Sequence, residues 1–111
     1  MVSTHVNQLQ LLEQNMQNVL AQKQQFSMQL IETESALKEL PNSSSTYKIV
    51  GKLMIAKETQ ELTKELEEQL KLIKLRITMI ENQETKIKES IEQVQQEMLA
   101  ELKTEETDRE N

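Results

Sequence analysis

"SSSTYKIVGKLMIAK", residues 43–57, interrupts a chain that otherwise reads as helix, and its reading decides the fold. It holds the single glycine, Gly51, and the single tyrosine, Tyr47, among Ile49, Val50, Leu53, Met54 and Ile55. Pro41 disfavours helical geometry at Leu40, and the "NSSST" that follows is loop chemistry. Beyond it the residues alternate. Tyr47, Ile49, Leu53 and Ile55 fall on one parity, and Lys48, Lys52 and Met54 on the other. This spacing predicts a β-hairpin over about 47–56. A three-residue turn centred on Gly51 would oppose Ile49 to Leu53 and Tyr47 to Ile55, gathering all four on one face. A two-residue Gly51–Lys52 loop would instead spread the apolar groups over both faces. A continuous short helix is disfavoured by the Ile49–Val50–Gly51 sequence.

Outward from the hairpin, both flanks carry the same periodicity. Alternating steps of three and four visit Val2, His5, Leu9, Leu12, Met16, Val19, Lys23, Phe26, Leu30, Thr33, Leu37 and Leu40. All but His5, Lys23 and Thr33 are apolar. The returning flank gives Leu66, Leu70, Ile73, Ile77, Ile80, Glu84, Ile87, Ile91, Val94, Met98 and Glu101, broken only by the glutamates. Seams sustained this long predict coiled-coil helices. Helix 1 is expected over about 2–40 and helix 2 over about 59–104, each about 60 Å long at 1.5 Å per residue. Residues 41–46 form the expected loop. The acidic tail, 105–111, continues the unpatterned "TEETDREN" and is expected to fray.

The polar interruptions choose the pairing. With Leu40 folded back opposite Leu66, Lys23 meets Glu84 and His5 meets Glu101. A parallel homodimer would stack Lys23 on Lys23 and Glu84 on Glu84, and an uncompensated charge in a dry seam costs on the order of several kcal/mol. Sliding the antiparallel register by a heptad separates both pairs. Lys23 has a plainer option, extending its ammonium to water, yet Glu84 still sits better beside a lysine than beside an isoleucine. The expected fold is mainly α: an antiparallel two-helix coiled coil with a short β-hairpin at the bend.

Composition narrows the function. The 111 residues suffice for one domain, read as 1–104, and only 36% are hydrophobic, enough for a narrow seam and too little for a rounded core. A net charge of −6 gives a nucleic-acid role the wrong sign, and Phe26 and Tyr47 are too few for base stacking. Absence of cysteine excludes disulfides, thiolate metal sites and thiol nucleophiles, and fits a cytoplasmic location. The opening "MVSTHVNQLQLL" lacks the basic and apolar segments of a signal peptide, and no window approaches the roughly 20 apolar residues of a membrane span. His5, the one histidine, forms no metal-binding pair. Ser43, Ser44 and Ser45 lack a base, and Gly51 alone builds no phosphate loop. No catalytic residue, metal or cofactor is expected, and the chain does not read as an enzyme.

A lone two-stranded hairpin is marginal in water, and its open edges invite pairing. Burying its four large side chains is worth about 1.5–3 kcal/mol each, and a two-helix rod is too thin to cover them. The expectation is an oligomer whose hairpins pair edge to edge and close into β-barrels through Tyr47, Ile49, Val50, Gly51, Leu53, Met54 and Ile55.

The amino-terminal helix, the "TYKIVGKLMIAK" hairpin and a returning helix opened by "TQELTKELEEQL" together resemble prefoldin subunits over residues 1 to about 104. The run from Tyr47 to Ile55 resembles that of a beta-type subunit. Residues 41–58 leave room for one hairpin, where alpha-type subunits carry two. The resemblance implies a hetero-hexamer of two alpha-type and four beta-type chains, with a double β-barrel body and six coiled-coil tentacles. It further implies an ATP-independent chaperone that holds unfolded client proteins at the tentacle tips and delivers them to a group II chaperonin, with no nucleic acid and no membrane involved.

In this chain the helix ends would gather Val2, Val6, Leu9, Leu11 and Leu12 with Met98, Leu99 and Leu102 as the client-binding tip. Leu11 and Leu99 lie off the seam, and Met16 and Met98 offer adaptable contact. An ordinary widened seam is the plainer reading of the same leucines. Glu97, Glu101, Glu105, Glu106 and Asp108 would tune client or chaperonin contact, or keep the tip soluble. The alternative function is a coiled-coil scaffold or prefoldin-like assembly subunit without client holding.

Overall fold

Every position of the two heptad walks is at least partly withdrawn from solvent, and most residues between them are exposed. The walks lie on helix α1, Val2–Glu39, and helix α2, Thr59–Glu110; between these lie a short 3-10 turn, Leu40–Asn42, and strands β1, Thr46–Val50, and β2, Leu53–Lys57. In this computed structural model residues 2–110 are described, with side chains for residues 2–105. Burial is deepest at Leu40, Ile73 and Ile80. Thr33 joins them because its hydroxyl donates back to the Gln29 carbonyl at 2.8 Å, which leaves no polar atom unpaired in the seam.

The chain divides into two compact units, one of Met1–Lys23 with Met79–Asn111 and the other of Gln24–Thr78. In the first, stretches of α1 and α2 run antiparallel, cross-linked at both Lys23–Glu84 and His5–Glu101. In the second, α1 returns as α2 through the hairpin, and the Arg76 guanidinium lies 5.5 Å from the centre of the Phe26 ring.

Pro41 sits at the start of the 3-10 turn, where its missing N–H costs nothing. The Ser43 N–H donates to the Leu40 carbonyl and the Ser43 hydroxyl to that of Glu39, so one carbonyl of the 3-10 turn and the last carbonyl of α1 are satisfied.

The hairpin pairs Thr46 with Lys57, Tyr47 with Ala56, Lys48 with Ile55, Ile49 with Met54 and Val50 with Leu53. The three-residue turn is therefore corrected to a two-residue loop, Gly51–Lys52. Gly51 has φ of 61° and no other described residue has positive φ, which is the pattern of a type II′ turn, with glycine at the first central position. Such a turn follows the twist of the strands. It also moves the apolar groups: Tyr47 and Ile49 share a face with Met54 and Ala56, while Val50, Leu53 and Ile55 share the other with Thr46, Lys48 and Lys57. The expected four-residue cluster on one face does not form.

Helix α2 continues through residues 104–110 rather than stopping near 104. Loss of heptad periodicity there does not end the helix, because extending an established helix needs no new nucleus.

Candidate functional site

The hairpin leaves its apolar residues open on both faces. Ile49, Leu53 and Met54 are 70%, 67% and 68% exposed, and Tyr47, Val50 and Ile55 are about half exposed. The helices do not cover them. What ties the strands to α2 is polar. The Glu65 carboxylate accepts from Lys57 of β2 through Oε1 and from Lys48 of β1 through Oε2 at 3.2 Å. The Thr46 hydroxyl donates to the Lys57 carbonyl at 2.6 Å and lies 3.5 Å from the Thr59 hydroxyl, joining the strand pair to the first turn of α2. The Lys57 hydrogen bond, then that of Lys48, holds the Glu65 carboxyl below its ordinary range, and Glu65 raises Lys57 in return.

The polar seam interruptions of the first unit form two separate pairs. Lys23 Nζ donates to Glu84 Oε2 at 3.0 Å, and the other Glu84 oxygen is 3.6 Å from Lys88. The hydrogen bond to Lys23 is the main reason that the Glu84 carboxyl is lowered, and it raises Lys23. His5 Nδ1 is 3.0 Å from Glu101 and Nε2 is 3.4 Å from Glu97, so both ring nitrogens face carboxylates. Around this cluster Val2, Leu9, Leu12 and Met98 are half-buried. Val6 and Leu102 are more open, and Leu11 and Leu99 are 61% and 55% exposed. Glu106 and Asp108 lie outside the residues whose side chains are described.

Sequence reasoning missed the Lys48–Glu65–Lys57 cluster because of the turn. With three residues in the loop the two lysines fall on opposite faces; with two they fall on the same one. It also passed over four exposed apolar residues of the second unit, Met28 and Ile31 on α1 and Leu72 and Leu75 on α2.

The family profile described as "Prefoldin subunit" matches residues 3–105. The chain belongs to the prefoldin family. Among similar proteins, the prefoldin subunit beta of Methanospirillum hungatei is 32% identical over 104 residues, 91% of this chain and 87% of that one. That of Methanothrix thermoacetophila is 36% identical over 100 residues, 87% of this chain and 83% of the other. The crystal structure of the prefoldin beta subunit from Thermococcus strain KS-1 superposes with a TM-score of 0.84 at 28% identity, covering 91% of both chains.

The single hairpin between two long helices is thus the beta-type arrangement of prefoldin subunits, as the run from Tyr47 to Ile55 implies. Among the described residues of this prefoldin chain, no cluster of histidine, aspartate and glutamate is placed to hold a metal ion. No described helix is long and apolar enough to cross a membrane.

Proposed function

We propose that this chain is the beta-type subunit of a cytoplasmic, ATP-independent holdase, a hetero-hexamer with two alpha-type and four beta-type chains. Its residues 1–104 act as one domain. The hairpin, through Tyr47, Ile49, Val50, Gly51, Leu53, Met54 and Ile55, pairs with hairpins of neighbouring subunits. The helix ends, through Val2, Val6, Leu9, Leu11, Leu12, Met98, Leu99 and Leu102, hold unfolded proteins and release them to a group II chaperonin. One observation carries the assembly reading: six large apolar side chains, on both faces of a two-stranded sheet, are exposed by 45% to 70%. A free hairpin of this kind is marginal in water; strands of other subunits added to its edges satisfy its open ladder, and closure of the enlarged sheet on itself shields one face.

Native mass spectrometry of the chain with an alpha-type subunit tests assembly, and a stable heteromer is the expected result. Deleting residues 1–12 together with 98–111 is expected to leave that heteromer intact and abolish suppression of client aggregation without nucleotide. Holding that survives both deletions overturns the placement of the client surface. A heteromer that never suppresses aggregation even at full length returns the chain to the scaffold reading.

A further inference from the structure

The hairpin is joined to the helices by short links, residues 43–45 on one side and Glu58 on the other. Links alone permit a range of inclinations. Three side chains bridge the hairpin and the helix, and they come from three different elements: Lys48 from β1, Lys57 from β2 and Glu65 from α2. Each carboxylate oxygen takes one lysine, so the two contacts fix two points of the sheet relative to one point of the helix. Glu65 stands two turns into α2, within reach of both strands. The bound lysines share a face of the sheet with Val50, Leu53 and Ile55. The opposite face, Tyr47, Ile49, Met54 and Ala56, carries no charge.

We infer that Glu65 is a positioning residue that locks the inclination of the hairpin on α2 and so presents its uncharged face to the hairpin of another subunit. The assignment to a second hairpin rests on the assembly reading above; the locking itself does not. A solvated ion pair adds little to stability by itself. Here its effect is on orientation, because strands already held at the docking angle lose less freedom when they pair. Glu65 also pairs with both ammonium groups, so its single negative charge offsets one of their two positive charges.

Three full-length chains test this: wild type, Glu65→Gln, and the exchanged form Lys48→Glu with Lys57→Glu and Glu65→Lys. Spin labels placed on cysteines substituted for Lys52 in the turn and Lys71 on α2 report the inclination in the isolated chain. The distance distribution is expected to be narrow in wild type, broad in Glu65→Gln and narrow again in the exchanged form, with unchanged helical circular dichroism in all three. Assembly with an alpha-type subunit is expected to weaken about tenfold in Glu65→Gln, equivalent to about 1.4 kcal/mol, and to recover in the exchanged form. A Glu65→Gln chain with the wild-type distance distribution overturns the lock. A broadened distribution with undiminished assembly overturns its part in docking. A wild-type chain that does not assemble defeats the assembly reading, while the distances still decide the lock.

Discussion

Lys23 and Glu84 show how a polar pair is tolerated in an apolar seam. Glu84 is only 14% exposed, so its charge relies on the Lys23 hydrogen bond more than a solvated carboxylate would. Lys23→Ala is therefore expected to lower the melting temperature more than the double change Lys23→Leu with Glu84→Leu, which leaves no charge unpaired. Thermal unfolding by circular dichroism reads the difference. The pair also sets a pH window. The Glu84 value is lowered on folding, so its contribution is full above the ordinary 4.5 and disappears as the pH falls through the lowered value. The Lys23 value is raised, so its contribution is full below the ordinary 10.5 and is lost as the pH climbs through the raised value. The melting temperature of wild type is expected to fall at both extremes, and that of the double leucine variant to change less. Ile73 is 4% exposed and is the most deeply buried apolar residue. Ile73→Ala is expected to cost about 2–5 kcal/mol in urea unfolding, from lost transfer energy and an imperfectly filled seam.

At the scale of elements, the helices and the hairpin are held by different physics. The helices bury a stripe, so their stability is spread over many positions. The hairpin has no buried apolar residue and depends on its turn, its ladder and the lysines bound to Glu65. Gly51 is thus the sensitive point of the turn. A Cβ at this position meets nothing within 4 Å, so the whole effect of Gly51→Ala comes from the backbone at φ of 61°. It is expected to destabilise the hairpin by about 1–2 kcal/mol and to weaken assembly in native mass spectrometry, with helical circular dichroism unchanged. Exposure of β2 to proteolysis gives a second reading of the same change.

For the molecule as a whole, stability and proposed activity overlap at the seam residues Val2, Leu9, Leu12 and Met98 but separate at Leu11 and Leu99. Leu11 and Leu99 are exposed and off the seam, so Leu11→Gln with Leu99→Gln is expected to change stability by no more than about 0.5 kcal/mol each. The same double variant is expected to suppress client aggregation less than wild type, because it removes apolar contact from the helix ends without removing packing. An aggregation assay with a chemically denatured client, run beside urea unfolding, separates the two effects. The helices and their register were legible in the sequence because the seam repeats over ten positions or more on each flank. Lys23, His5, Glu84 and Glu101 broke that repeat at matching places. The helix-end surface was legible only as composition, since Leu11 and Leu99 stand outside any pattern that dictates a partner.

By itself the sequence determined that two long helices flank the hairpin, which faces they bury and how the seams align, because periodicity and charge matching act along the chain, whereas the end of α2 lay beyond the reach of that periodicity. Only the tertiary structure decided the hairpin register. Two loops that differ by one residue suit the same Gly51, and the choice between them re-pairs the side chains of one strand with the opposite set on the other. The same choice brought Lys48 and Lys57 to one face and Glu65 between them. Three residues from three elements meet there through the folding of the backbone, and no spacing along the chain encodes such a meeting.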